Sequence, residues 1–292
     1  MEVNKSCYKF VKRQYEKGIF DTSVDATYII TMVNSKRLIS VNEQLEKYKP
    51  TKNLYIVENE GFKNCKKKLP EQKSNYDLID CYLQIFKQAK KENYNNILIL
   101  EDDFIFSNEL NKHVKNVNEY IKNLKDSSFI YYLGCLPWLK INSFFSSHSQ
   151  LIASTGTQSC IYSKKARENI LNDNVYSIHD WDLYLHFKIL NITRYVYDKP
   201  LCYQTFPETE NQSNWPNPFG LRVLSIFFLK LLGVDENIEP GTSFVYFMSN
   251  FTLSILFLIF TFFSYIFYKV ITLIRNNRLK KIWTKSLSKL FQ

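Results

Sequence analysis

A chain of 292 residues with 23% charged and 45% apolar residues has the composition of a folded protein, which excludes a disordered polyelectrolyte. The net charge of +10 suggests nucleic-acid binding until it is located: seven Lys or Arg and no acid lie between Lys269 and Gln292, leaving +3 for the rest. No basic stripe interleaved with aromatics occurs there, so nucleic acid is not an expected partner.

In chain order, the charged amino end "MEVNKSCYKFVKRQYEKGIF" lacks an apolar run and reads as an exposed helical extension over residues 1–25, without a secretory signal. "YIITMV" (Tyr28 to Val33) reads as a strand, followed by the polar turn Asn34-Ser35-Lys36-Arg37 and a helix to Tyr48. A second strand, "NLYIVE" (Asn53 to Glu58), leads through a lysine-rich loop to a helix over 76–91, on which Ile79, Tyr82, Leu83, Phe86 and Ala89 or Lys90 keep a 3.6-residue period. The run "NNILILEDDFIF" then places four aliphatic residues, Ile97 to Leu100, directly before Glu101, Asp102 and Asp103. Unalternating apolar runs suit interior strands of a sheet covered on both faces. Ligands of open α/β sheets bind at the carboxyl ends of such strands.

Beyond the triplet, Leu110, Val114, Val117, Ile121 and Leu124 define one apolar helix face. "FIYYLG" (Phe129 to Gly134), "TGTQSCIYS" (Thr155 to Ser163) leading into a helix through Leu171, and "TRYVY" (Thr193 to Tyr197) continue the alternation. The pattern predicts an α/β domain over 26–220 with a mostly parallel central sheet. No glycine-rich phosphate loop occurs.

Clustered carboxylates at a strand end suit Mn²⁺ or Mg²⁺, with open positions left for a diphosphate. Strand alternation directs Glu101 and Asp103 to one side and Asp102 to the other. Asp103 is the expected metal ligand, with Glu101 and Asp102 as donor-binding groups beside Asn34 and Arg37. An ordinary acidic turn is the competing reading. A second acidic segment, "HDWDLYL", places Asp180 and Asp182 around Trp181: a base and an aromatic face for a sugar acceptor, or a helix cap and its first turn. His179 and His186 read as structural.

These segments, in the order "YIITMVNSKR", "DLIDCYLQIFKQA", "ILILEDDFIF", "FIYYLG", "TGTQSCIYSKKARENIL", "HDWDLYL" and "ENQSNW", resemble the family twenty-five glycosyltransferases, of the lipooligosaccharide and collagen-galactosyltransferase type, over about Tyr28 to Trp215. The resemblance implies a GT-A fold and metal-dependent transfer of a sugar from a nucleoside diphosphate to a hydroxyl of a glycan, lipid-linked or protein acceptor. It further implies that Glu101, Asp102 and Asp103 are the donor-and-metal motif. Where the family's helix has a Gly-Cys and a Ser-His pair, this chain has Ile79-Asp80-Cys81 and then Tyr82-Leu83-Gln84. A metal-dependent phosphatase or nuclease, and an inactive membrane-tethered interaction protein on a transferase fold, are the alternative classes.

"LRVLSIFFLKLLG" (Leu221 to Gly233) reads as an interfacial or last core helix, with a linker to residue 240. Residues 241–268 carry no charge and form a candidate membrane span, with 269–292 as a basic tail. The tail favours a cytosolic carboxyl end, whereas the amino end offers no export signal, and the expectation is a cytosolic catalytic domain, single-pass or monotopic, with the apolar segment a carboxyl-terminal anchor or a re-entrant element that returns the basic tail to anionic lipid on the same face. Six dispersed cysteines (Cys7, Cys65, Cys81, Cys135, Cys160, Cys202) then remain reduced, and the N-x-[ST] sites at Asn4, Asn191 and Asn211 stay unglycosylated.

Overall fold

The computed structural model describes residues 6–143, 145–178, 180–205, 227, 230–233 and 238–290. They divide into two units, Met1–Asn250 and Phe251–Gln292. The expected Leu221–Gly233 helix lies largely outside the described residues, as do His179, Asn4, Asn211 and the "ENQSNW" segment.

The first unit is built on a seven-stranded sheet of β1 (Tyr8–Gln14), β2 (Ala26–Met32), β3 (Asn53–Asn59), β4 (Asn96–Glu101), β6 (Phe129–Ile141), β7 (His148–Ser163) and β8 (Thr193–Tyr197), ordered β1-β3-β2-β4-β7-β6-β8. The α/β class is the expected one, and the central strands β3, β2 and β4 run parallel. β7 joins β4 antiparallel, β6 pairs antiparallel with β7, and β8 runs parallel to β6. A small two-stranded sheet pairs β5 (Phe104–Phe106) with β9 (Cys202–Gln204).

Helices α1 (Leu38–Tyr48) and α3 (Leu110–Leu124) cover one face; α2 (Ser74–Lys91), α4 (Lys164–Leu171) and α5 (Trp181–Leu183, continuing as a π-helical turn Tyr184–Lys188) cover the other. This arrangement explains the unalternating run of β4. Ile97 and Ile99 enter the core beneath α2, whereas Leu98 and Leu100 enter the core beneath α1 and α3. All five predicted residues of the α3 face lie in or against that second core.

The amino end is corrected. β1 is an edge strand, antiparallel to β3, where a helical extension was expected. Its lysines serve an edge that faces solvent, and Phe10 packs edge-on against Tyr28 at 6.4 Å. The expectation of six thiols is corrected as well. Cys7, just before β1, is bonded to Cys65 in the loop after β3, while Cys81, Cys135, Cys160 and Cys202 are free and buried. The same loop is pinned by buried Lys67, which pairs with Asp77 and donates to Asn59 Oδ1 at 2.5 Å.

The start of the apolar segment also moves. Residues 241–249 belong to a separate helix, α6 (Ile238–Ser249), which buries Gly241, Thr242, Val245, Tyr246 and Ser249. Tyr246 Oη accepts a hydrogen bond from the backbone N–H of Cys135 on β6 at 3.3 Å. The second unit holds α7 (Thr252–Leu290), whose stretch Thr252–Arg278 is long and apolar enough to cross a bilayer. If α6 is a core helix, Tyr246→Ala lowers domain stability by about 3 kcal/mol, whereas Phe244→Ala, at a 49% exposed position, leaves it unchanged. Thermal denaturation of the two variants reads the difference.

Candidate active site

β4 delivers the acidic triplet to the carboxyl edge of the sheet, but strand geometry ends there. Glu101 is the last residue of β4, and Asp102 and Asp103 form the turn into β5. The three carboxylates therefore take three directions. Glu101 Oε1 accepts hydrogen bonds from Tyr82 Oη of α2 at 3.0 Å and from Thr157 Oγ1 of β7 at 3.2 Å. Asp102 accepts from Thr31 Oγ1 at 2.8 Å, Ser35 Oγ at 2.9 Å and Arg37 Nη1 at 2.9 Å. Asp103 is 6% exposed, accepts from Gln204 Nε2 at 3.0 Å through Oδ2, and lies 3.8 Å from Arg37 Nη1.

Asp102 is thus engaged in fastening the turn between β2 and α1. That turn carries Asn34, exposed and in the left-handed region at φ 61°, and Arg37, whose side chain stays one-third exposed beside the paired carboxylates. The turn and the triplet, far apart in sequence, form one edge.

The second acidic segment divides by role. Asp180 caps α5, its Oδ1 accepting from the Leu183 N–H at 2.9 Å, so the capping alternative describes this residue. Asp182 instead turns toward β7, where Oδ2 accepts from the backbone N–H of Gly156 at 2.9 Å. Gly156 sits at φ 93°, a conformation that favours glycine, and an added Cβ would meet Gln158 Oε1 at 2.6 Å. Trp181 is corrected as a sugar platform. Its ring is 5% exposed and stacked between Tyr82 at 4.9 Å and Tyr184 at 5.4 Å, with Nε1 donating to Tyr162 Oη at 3.3 Å. Both ring faces are already covered. His186 is buried against Ser154 Oγ at 2.9 Å, in keeping with a structural role.

Glu101, Asp103 and Asp182 share one electrostatic environment. Burial raises the affinity of each for its proton, and for Glu101 the nearby Asp103 and Asp182 add to the effect. Asp182 is pushed up to about 7, by burial first and by Asp180 second, against the lowering pull of the Gly156 N–H. Buried Asp103 Oδ1 and Asp182 Oδ1 have no hydrogen-bond partner. Unpaired hard oxygens of this kind fit a divalent cation, although no group of three or more His, Cys, Asp or Glu is gathered as a complete ligand set among the described residues. Mg²⁺-type sites commonly use one or two carboxylates and complete their shell with water and substrate phosphate. Sequence reasoning missed Tyr82, Gly156 and Gln204. Only Gly156, a lone glycine inside the quoted "TGTQSC" strand, offered a signal.

No protein-family profile matches the chain, and no curated protein sequence does. Among solved structures it is similar to A197 from STIV, with 11% identity over 63% of this chain and 86% of that one and a TM-score of 0.37. A glycosyltransferase involved in the glycosylation of the major capsid of PBCV-1 matches with 12% identity over 59% and 94%, at a TM-score of 0.35. A UDP-glucose pyrophosphorylase complexed with UDP-glucose matches with 8% identity over 59% and 72%, at a TM-score of 0.31.

Groups whose proton affinity is raised by folding stabilise the fold when protonated, and that contribution is lost as pH rises through the folded value. For Asp182 the window runs from its ordinary 3.8 to about 7. Without divalent cations, melting temperature should therefore fall from pH 4 to pH 7. Asp182→Asn should flatten the slope and raise stability at pH 8 by roughly 1–3 kcal/mol. Thermal melts across pH check both outcomes.

Proposed function

We propose that the chain is a glycosyltransferase that moves a sugar from a nucleoside diphosphate to an acceptor hydroxyl with the help of a divalent cation. The observation that supports this reading is the acidic triplet at the carboxyl edge of the sheet, where Asp103 and, from α5, Asp182 each keep a buried oxygen without a hydrogen-bond partner. Such an edge is where these sheets take nucleotides, and the family resemblance of the sequence points to the same chemistry.

In this reading Asp103, supported by Glu101, holds Mn²⁺ or Mg²⁺. A cation bound there supplies positive charge to the departing diphosphate. Asn34 and Arg37 line the donor edge, and Asp102 keeps Arg37 oriented toward it. Tyr82 and Thr157 hold Glu101 Oε1 in place. Asp182, its proton affinity matched to neutral pH, removes the acceptor hydroxyl proton, and the Gly156 N–H orients its carboxylate. A base in this position belongs to transfer with inversion at the anomeric carbon. The acceptor is a glycan, a lipid-linked sugar or a protein, reached from a membrane-anchored domain.

Calorimetric titration with UDP tests the donor half. Mn²⁺ should strengthen binding at least tenfold, and Asp103→Asn should abolish that gain; affinity indifferent to Mn²⁺ would favour an inactive scaffold. Turnover with a panel of nucleotide sugars tests the base. Asp182→Asn should lower kcat by roughly 10²–10⁴ while donor affinity holds. Retention of anomeric configuration in the product would contradict the role given to Asp182.

A further inference from the structure

The turn between the π-helical segment and β8 carries Asn191-Ile192-Thr193, an acceptor triplet for N-linked glycans. Asn191 is exposed, Ile192 is buried, and Thr193 begins β8. Immediately before it stand Phe187 at 65% and Leu190 at 78% exposure, two large apolar side chains left in solvent on a folded domain. A bulky hydrophilic group on Asn191 would cover that patch.

Two independent observations address the compartment such a modification requires. The Cys7–Cys65 disulfide is a bond that persists in oxidising compartments and is rare in the cytosol. The seven cations between Lys269 and Gln292, with no acid among them, flank the carboxyl side of the candidate span, and such flanks stay cytosolic. A single crossing then leaves the preceding domain on the opposite, oxidising side. Both observations oppose the cytosolic placement expected from the amino end.

We propose that the domain faces the lumen of a secretory compartment and that Asn191 carries an N-linked glycan there. The donor is a lipid diphosphate-linked oligosaccharide, and the transferring enzyme is a separate one resident in that compartment. Asn191 Nδ2 forms a bond to the anomeric carbon as the bond from that carbon to the diphosphate oxygen breaks. The lipid diphosphate leaves with the electron pair, and the amide gives up one proton. The inference is independent of the transfer chemistry proposed above, so an inactive protein would carry the same glycan.

The full chain, with Asn4, Asn211 and Asn250 each replaced by Gln to remove the other acceptor triplets, is expressed in a eukaryotic cell and its mobility compared before and after endoglycosidase treatment. The expected result is a one-glycan shift that Asn191→Gln and Thr193→Ala both abolish and Thr193→Ser preserves. Alkylation before and after reduction should find Cys7 and Cys65 protected until reductant is added. A chain insensitive to endoglycosidase, or a shift unaffected by Asn191→Gln, overturns the glycan. Cys7 and Cys65 open to alkylation without reductant overturn the lumenal placement.

Discussion

Carboxyl groups taken out of water near one another resist ionising unless positive charge is brought to them. Burial raises the proton affinity of Glu101, Asp103 and Asp182, and at Glu101 the nearby Asp103 and Asp182 add to it. Tyr82, Thr157, Gln204 and the Gly156 N–H donate hydrogen bonds to the three groups, and Arg37 stands 3.8 Å from Asp103. These contacts hold the carboxyls in place without neutralising them. The residual electrostatic tension is a stability cost of the kind that functional sites carry, and it is relieved by protonation or by a cation.

The fold explains how residues so far apart in sequence reach this edge. β4 is covered on both faces, so its apolar run is rigidly placed and Glu101 emerges at a fixed point. β7 runs antiparallel beside it, with Leu100 opposite Ser159, which brings Thr157 and Gly156 past the end of β4. The bulged conformation at Gly156 turns an N–H out of the ladder toward Asp182. On the other side β5 pairs with β9, so Gln204 meets Asp103. The core thus determines where each carboxyl group is held.

Much of this was legible in residue order. α3 and β8 have the bounds that periodicity predicts, and β4 extends its aliphatic run by one residue before the run and one after, because each depends on local pattern and burial. The triplet was recognisable from its position after a buried strand. What escaped depends on tertiary context. β1 reads as a charged helix because edge strands carry lysine, and only its pairing with β3 reveals it. Trp181 lies beside acids in sequence, yet at the start of α5 its ring stacks with Tyr82 in the aromatic core. Strand alternation failed at Asp102 and Asp103 because the chain turns there, and the pairing of Cys7 with Cys65, 58 residues apart, has no local signature.

If a divalent cation is held here, it displaces protons from these carboxyl groups. Titration of Mn²⁺ with UDP into the protein at pH 6.5, repeated in buffers of differing ionisation enthalpy, counts the protons released. The expected result is net release of about one proton per site, reduced in Asp103→Asn and falling as the pH is raised well above 7. Binding with no proton release at any pH, or release unchanged in that variant, would contradict it.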